Sequence, residues 1–477
     1  MRLPEEFINY TQALMGERLF GRLMTGLAEA PLTSIRLHPK KSMGFKVDEE
    51  WSPEPISWCD GGYYLSGRPH FTFDPLLHAG AYYVQDAASM FIDRVIRQYV
   101  QSPVLMLDLC AAPGGKSTAA LSALPEGSLL FANEPMGTRA QILAENLIKY
   151  GHPDVVVTNN YPADYHRAKL SFDVILTDVP CSGEGMFRKD EGAITEWSVQ
   201  NVEKCSRLQR EIMATAWSCL RTGGILIYST CTLNDKENEK NIIWAVEELG
   251  ATPIPVDIQP DWCITGPLGD TTEFPAYRFI PGVSRGEGLF MAVLRKGNAP
   301  ISLSPFVENR KVKNKVLQKH KNPYDKTIAK AIEQWLQSPD SFQIIERNEH
   351  LWAIPKRWHS IYEISQLLRI LHAGVDIAIK KGHDLIPQHA LGLSTQLPPD
   401  AFPKVEVDEK EAVAYLSKTA VNLSTDIPKG YILLTHRGLP LGFVKHLGNR
   451  SNNLYPQEWK IRSSHYPEHM KEILKKI

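Results

Sequence analysis

Between residues 104 and 296, short apolar runs alternate with longer amphipathic stretches. The runs at 104–107, 129–132, 155–157, 174–177 and 225–228 are branched and too short for helices, so they read as buried strands. The stretches at 116–124, 138–150, 199–221 and 235–249 read as helices. Gly223-Gly224 is expected as the turn out of the third of them. Asn234 with Glu237 three residues on makes a capping-box-like start for the fourth. This alternation predicts an α/β fold with a doubly wound parallel sheet. Two more strands, at 253–258 and 289–294, are expected as an antiparallel edge hairpin and bring the sheet to seven.

The flanks differ. Residues 1–80 read as a small mixed domain. Phe7, Leu14, Leu19, Leu23 and Leu27 are helix-spaced, Pro31 stops that helix, and 33–37 is strand-like. Pro53, Pro55, Gly61, Gly62 and Pro69 then punctuate loops. A helix over 86–99, capped by Asp86, opens the central domain, 81–297. The tract 309–321 holds six Lys or Arg and no acid. It is expected as a solvated linker, 298–322, which can also line a phosphate path. Residues 323–477 have short strands and many prolines, with a hairpin expected at 438–445.

Bulk properties narrow this picture in three ways. The formal net charge is −1, so any basic surface must be local. The seven cysteines include no Cys-x-x-Cys pair, which argues against zinc fingers and a disulfide framework; no metal is expected. Free thiols suit a reducing cytosol. Glu5 and Glu6 are unlike a signal peptide, and no run reaches membrane-spanning length. A cytoplasmic monomer is expected.

Candidate chemistry sits at four strand ends, where ligands bind in an open parallel sheet. The first carries Asp108-Leu109-Cys110-Ala111-Ala112-Pro113-Gly114-Gly115-Lys116-Ser117-Thr118, a glycine-bearing strand-to-helix turn. Its tail resembles a phosphate-binding P-loop, but Cys110 stands where that motif needs its first glycine. A cofactor turn of an S-adenosylmethionine-dependent methyltransferase and a structural Gly-Gly turn remain. The second strand ends at Glu134, placed to hold ribose hydroxyls. The other two end in Asp178-Val179-Pro180-Cys181 and Ser229-Thr230-Cys231-Thr232.

The segments 108–118, 178–190 (DVPCSGEGMFRKD) and 228–232 (YSTCT) resemble the RNA 5-methylcytosine methyltransferases of the Nol1/Nop2/Sun (RsmB/NOP) family. Within it they are most similar to the bacterial RsmF-type branch that modifies 16S ribosomal RNA. The resemblance implies a class I, Rossmann-like methyltransferase sheet of seven strands. It also implies an N-terminal α/β domain of RNA-binding type and a C-terminal β-rich, PUA-like RNA-binding region.

It further implies roles. Carbon 5 of cytosine needs a thiolate added at carbon 6 before it can accept a methyl group, then a base to release the enzyme. Cys231 corresponds to the nucleophile, Cys181 to the release step, and Asp178 to the acid near ring N3, between cofactor and base. Cys110, Ala111, Ala112, Pro113, Gly114, Gly115 and Lys116 would wrap S-adenosylmethionine, and Glu134 its ribose. The family's Asp after the third strand is replaced by Tyr161, with Asn159, Asn160 and Asp164 around it; either Tyr161 stacks on adenine or Asn160 bonds to it. Arg36 in Ser-Ile-Arg, Arg188 and Lys189 in a mobile lid over 183–190, and Arg278 are expected near RNA. The loop from Arg278 departs from the family pattern, since Gly282 stands in place of a histidine. Cys59, Cys205, Cys219 and Cys263 read as inert core residues. The RNA is expected to be 16S ribosomal RNA or the small subunit. The rival readings are transfer RNA with the same chemistry and an RNA-binding assembly factor with vestigial catalysis.

Overall fold

The computed structural model describes residues 3–269, 274–297, 326–382, 384–463, 466 and 470–477. The basic tract at 309–321 and its expected linker lie outside the described residues.

At the centre is the α/β sheet. Leu105–Asp108, Leu129–Asn133, Val155–Thr158, Phe172–Asp178 and Leu220–Thr230 run parallel. Leu289–Lys296 lies antiparallel beside Leu220–Thr230 and pairs onward with Ala251–Pro253. Side-chain alternation sends Met106, Leu130, Val174 and Ile227 to one apolar layer and Leu107, Phe131, Ile175 and Leu226 to the other. Helices Gly115–Ala123, Gly137–Tyr150, Val199–Cys219 and Glu239–Leu249 connect the strands. Gly223-Gly224 does not turn the chain: it lies inside Leu220–Thr230, where the register shifts between Leu220 and Ile225.

Among the described residues the sheet has nine strands, two more than periodicity predicts. Tyr277–Phe279 pairs with Leu289–Lys296. Ile370–Ala373, from the C-terminal region, pairs antiparallel with Val155–Thr158. Both are short and take their place from a partner far away in the chain, so local periodicity carries no sign of them. The edge strand at Ala251–Pro253 is also shorter than the expected 253–258.

The N-terminal helix Glu5–Ala28 bends at Gly16. The following segment forms a four-stranded sheet in the order Glu54–Pro55, Gly62–Leu65, Thr33–Leu37, Tyr82–Val84. The helix expected from Asp86 is a 3₁₀ turn, Ala88–Met90, leading into Phe91–Tyr99. Among the described residues the C-terminal region holds two four-stranded sheets. In the second, Gly438 lies in the turn joining Gly430–His436 to Leu439–His446, so the hairpin begins earlier than 438. Leu474–Lys476 pairs with Phe45–Val47, which ties the end of the chain to its beginning.

Candidate active site

Leu105–Asp108 is hydrogen-bonded to Leu129–Asn133 on one side and Phe172–Asp178 on the other. The chain order reverses there, so a crevice opens above the carboxyl ends of these strands. The crevice holds a cleft of about 200 Å³. Asp108, Cys110 to Pro113, Gly115 and Lys116 line it from the turn, Asp178 from the neighbouring strand end, and Tyr83 to Asp86 with Ser89 from the N-terminal side. Asn133 braces the turn: its carbonyl accepts from the Ala111 amide at 2.8 Å, and its Nδ2 donates to the Leu109 carbonyl.

The electrostatics of this cleft favour a cation. Asp108 is fully buried; its Oδ2 accepts from Ser117, and its Oδ1 has no hydrogen-bond partner among the described residues. Burial lifts its carboxyl to about 7, against the Ser117 bond that pulls it down. Asp86 adds a second carboxyl to the lining. Lys116 is neutralised by Asp178, with Nζ 2.8 Å from Oδ2. S-adenosylmethionine suits such a lining, since its ammonium donates hydrogen bonds and its sulfonium is positive. Glu134 and Tyr161 do not line the cleft itself. Glu134 is buried beside it and lies 3.6 Å from Arg139, whose other terminal nitrogen donates to the Ala112 carbonyl. Tyr161 caps helix Pro162–Ala168 and is 70 % exposed.

Beyond Asp178 the two motif cysteines meet, with the Sγ atoms of Cys181 and Cys231 3.2 Å apart. Contact with the Cys231 sulfur raises the Cys181 thiol well above the ordinary thiol range, and burial adds to the shift. Asp178 holds its place through Ser229, whose hydroxyl donates to Oδ1 at 2.7 Å. Of the other cysteines, Cys59 and Cys219 are buried, but Cys263 is exposed rather than a core residue.

Two buried carboxylates fix the cysteine loops. Glu184 accepts from the amides of Leu233 and Asn234, from Asn234 Nδ2 and from Trp197 Nε1. Glu237 accepts from the Ser182 amide, Gln209 and Asn234 Nδ2. Gly185 lies so close to the second loop that a Cβ there would meet the carbonyl oxygens of Cys231, Glu287 and Gly288 at 2.8–2.9 Å. The segment expected as a mobile lid is thus a clamped 3₁₀ turn, Glu184–Met186. Its glycines suggest freedom, yet here a glycine allows close packing. Glu184→Ala leaves three donors unpaired, the Leu233 and Asn234 amides and Trp197 Nε1, and is expected to lower stability by at least about 3 kcal/mol, read by thermal or urea denaturation. Gly185→Ala is expected to displace Cys231 and to lower kcat about 10²-fold, checked by steady-state kinetics.

Three of the four basic residues expected at RNA are engaged inside the protein. Arg36 is 1 % exposed and donates to Gln85, Ser122 and Thr118. Arg278 is equally buried, with Nε 2.7 Å from Glu239 and Nη1 on the Leu233 carbonyl. Arg188 pairs with Glu287 at 2.8 Å and donates to the Gly26 and Gly286 carbonyls. Each holds one chain segment against another, so none offers its guanidinium to a phosphate. Of the four only Lys189 is exposed, and its Nζ lies 3.8 Å from Glu287. The Gly282 departure also has a packing cause: a Cβ there would meet the Arg22 carbonyl of the N-terminal helix at 2.1 Å.

Sequence reasoning missed Glu184, Asp86, Ser89 and Arg139. Glu237 was visible as the capping-box partner of Asn234, and that bond exists at 2.8 Å. The helix nevertheless starts at Glu239, and the carboxylate of Glu237 serves the cysteine loop. Glu184 had one signal, an acid between two glycines in a segment expected to be exposed.

Comparison with known proteins gives a consistent result. Family models match three parts of the chain: 16S rRNA methyltransferase RsmB/F over residues 100–295, the N-terminal domain of 16S rRNA methyltransferase RsmF over 3–87, and the methyltransferase RsmF PUA domain over 402–461. The ribosomal RNA small subunit methyltransferase F of Aliivibrio fischeri (strain MJ11) is 30 % identical, over 96 % of this chain and 97 % of its own length. The protein of the same name from Photobacterium profundum is 29 % identical over the same shares. A methyltransferase homologue from Pyrococcus horikoshii shares the fold, with a TM-score of 0.51 and 24 % identity over 61 % of this chain and 95 % of that one. The chain therefore belongs to the RsmF family of 16S ribosomal RNA methyltransferases.

Proposed function

We propose that this methyltransferase acts on carbon 5 of a cytidine in 16S ribosomal RNA, through a covalent bond from Cys231 to carbon 6. The observation that carries the reading is the Cys181–Cys231 contact of 3.2 Å next to the Lys116–Asp178 pair, at the open end of an acid-lined cleft. S-adenosylmethionine, held by the turn Cys110 to Lys116 with Glu134 and Tyr161 at its adenosine end, supplies an electrophilic methyl group.

The chain's own residues do the rest. Cys231 Sγ adds to carbon 6, and the ring electrons move toward carbon 5. Asp178 and Lys116 act as one unit at the ring's N3–N4 edge: the carboxylate accepts, and the ammonium carries the proton. After transfer, carbon 5 holds both a methyl group and a hydrogen. Loss of that proton to the Cys181 sulfur restores the C5–C6 double bond and expels Cys231, which takes up the Cys181 proton as it leaves. Cys181, in contact with the leaving sulfur, serves this release step, since it can return a proton to that sulfur. Lys189, exposed beside Glu287, is the remaining candidate for a phosphate contact.

The test is nucleoside mass spectrometry of 16S ribosomal RNA, small subunits and transfer RNA, each incubated with the enzyme and S-adenosylmethionine. 5-Methylcytidine in 16S RNA or the subunit supports the reading. A methylated transfer RNA would move the substrate, and binding without methylation would leave an assembly factor. The chain is taken to act as a monomer in the cytoplasm.

A further inference from the structure

We propose that the C-terminal region is part of the cofactor site, with Asn160 as the positioning residue that joins them. This rests on the reading that the adenosine end of S-adenosylmethionine lies along the edge formed by Glu134 and Tyr161.

The joint is built from backbone and amide groups. Asn160 is 9 % exposed, and its side chain bonds twice to one residue of the C-terminal region: Nδ2 donates to the Arg369 carbonyl at 3.2 Å, and Oδ1 accepts from the Arg369 amide at 3.1 Å. The same carbonyl accepts from the Asn159 amide at 3.0 Å. From there Ile370–Ala373 continues as a strand beside Val155–Thr158. Asn159 and Asn160 also reach the cofactor side. Asn159 Nδ2 donates to the carbonyls of Glu134 and Pro135 at 2.8 and 2.9 Å. Asn160 offers its backbone carbonyl to Asn133 Nδ2, which also holds the Leu109 carbonyl in the cofactor turn.

An unbroken set of hydrogen bonds thus runs from Arg369 to both walls of the adenosine edge. A bonded amide side chain between two segments fixes their spacing to within hydrogen-bond tolerance. The docking is also firm. Arg357 pairs with Asp154 at the start of Val155–Thr158, and Trp352, Ile361 and Leu368 share the apolar layer of Leu107 and Phe131. Asn159, Asn160 and Tyr161 therefore stand where the C-terminal region places them. Cofactor affinity depends on that docking, and by linkage the cofactor tightens it.

Two measurements test this. The first compares wild type with Asn160→Ala and Asn160→Asp, the latter keeping the acceptor and losing the donor. Kd for S-adenosylhomocysteine and KM for S-adenosylmethionine are expected to rise about tenfold in the alanine variant and less in the aspartate variant, with kcat at saturation and KM for RNA within about twofold. A rise in both kcat loss and RNA KM would mean general disruption and would overturn the assignment. The second needs no variant: hydrogen exchange at residues 366–373 of the full chain, with and without S-adenosylhomocysteine. Slower exchange there is expected, and unchanged exchange with the ligand demonstrably bound overturns the coupling. If the chain binds no S-adenosylhomocysteine at all, the cofactor reading fails instead.

Discussion

Cys231→Ala is expected to abolish methyl transfer, whereas Cys181→Ala is expected to form the bond to RNA and fail to leave it. These opposite outcomes are expected from two thiols in contact that the proposed chemistry uses at different times. Without Cys231 no sulfur adds to carbon 6, carbon 5 stays unreactive, and kcat should drop by at least about 10⁴-fold, as for loss of a covalent nucleophile. Without Cys181 the proton it keeps is missing where the Cys231 sulfur departs. The methylated adduct should then accumulate and survive denaturation. Incubating each variant with S-adenosylmethionine and 16S RNA, then resolving protein-linked RNA on a denaturing gel, separates the cases. An adduct in Cys181→Ala that disappears in the double variant with Cys231→Ala supports the order. An adduct that persists without Cys231 would show that the two roles are reversed. Neither substitution should unfold the chain, because Glu184 and Glu237 hold the loops through other atoms.

The central strands and helices were legible because their apolar spacing reports burial directly: Val155 and Val157 face one layer and Val156 the other. The cysteine motifs were legible because each closes such a run. What the chain's periodicity could not report is pairing at long range. Ile370–Ala373 has the composition of many short apolar segments and becomes a strand only because Val155–Thr158 has a free edge. The basic residues misled for a related reason. Arg36, Arg188 and Arg278 look like phosphate contacts in a one-dimensional pattern, yet each finds internal acceptors on distant segments. A charge in a loop reads as solvated until a buried partner such as Glu239 or Glu287 is placed opposite it.

Removing either member of the Lys116–Asp178 pair should cost nearly as much as removing both. Nζ lies 2.8 Å from Oδ2, and the other carboxylate oxygen is taken by Ser229. Both Asp178 oxygens thus accept hydrogen bonds, and the ammonium of Lys116 is the donor the pair presents to the ring. Burial would pull the Lys116 ammonium down, but Asp178 beside it overrides that and raises it, so the lysine stays charged throughout the neutral range. Asp178→Asn removes the stabilising charge and leaves burial unopposed. The alkaline limb of the kcat profile should then move toward lower pH, because the lysine loses its proton sooner. Lys116→Met should remove that limb altogether. Each single variant is expected to lower kcat by about 10²–10⁴-fold, as for loss of a general acid. The double variant should fall little further, since groups acting as one unit lose their effect together. Full additivity in this cycle, or a change confined to KM for S-adenosylmethionine, would mean that Lys116 serves cofactor binding alone and that the proton at N3 comes from elsewhere.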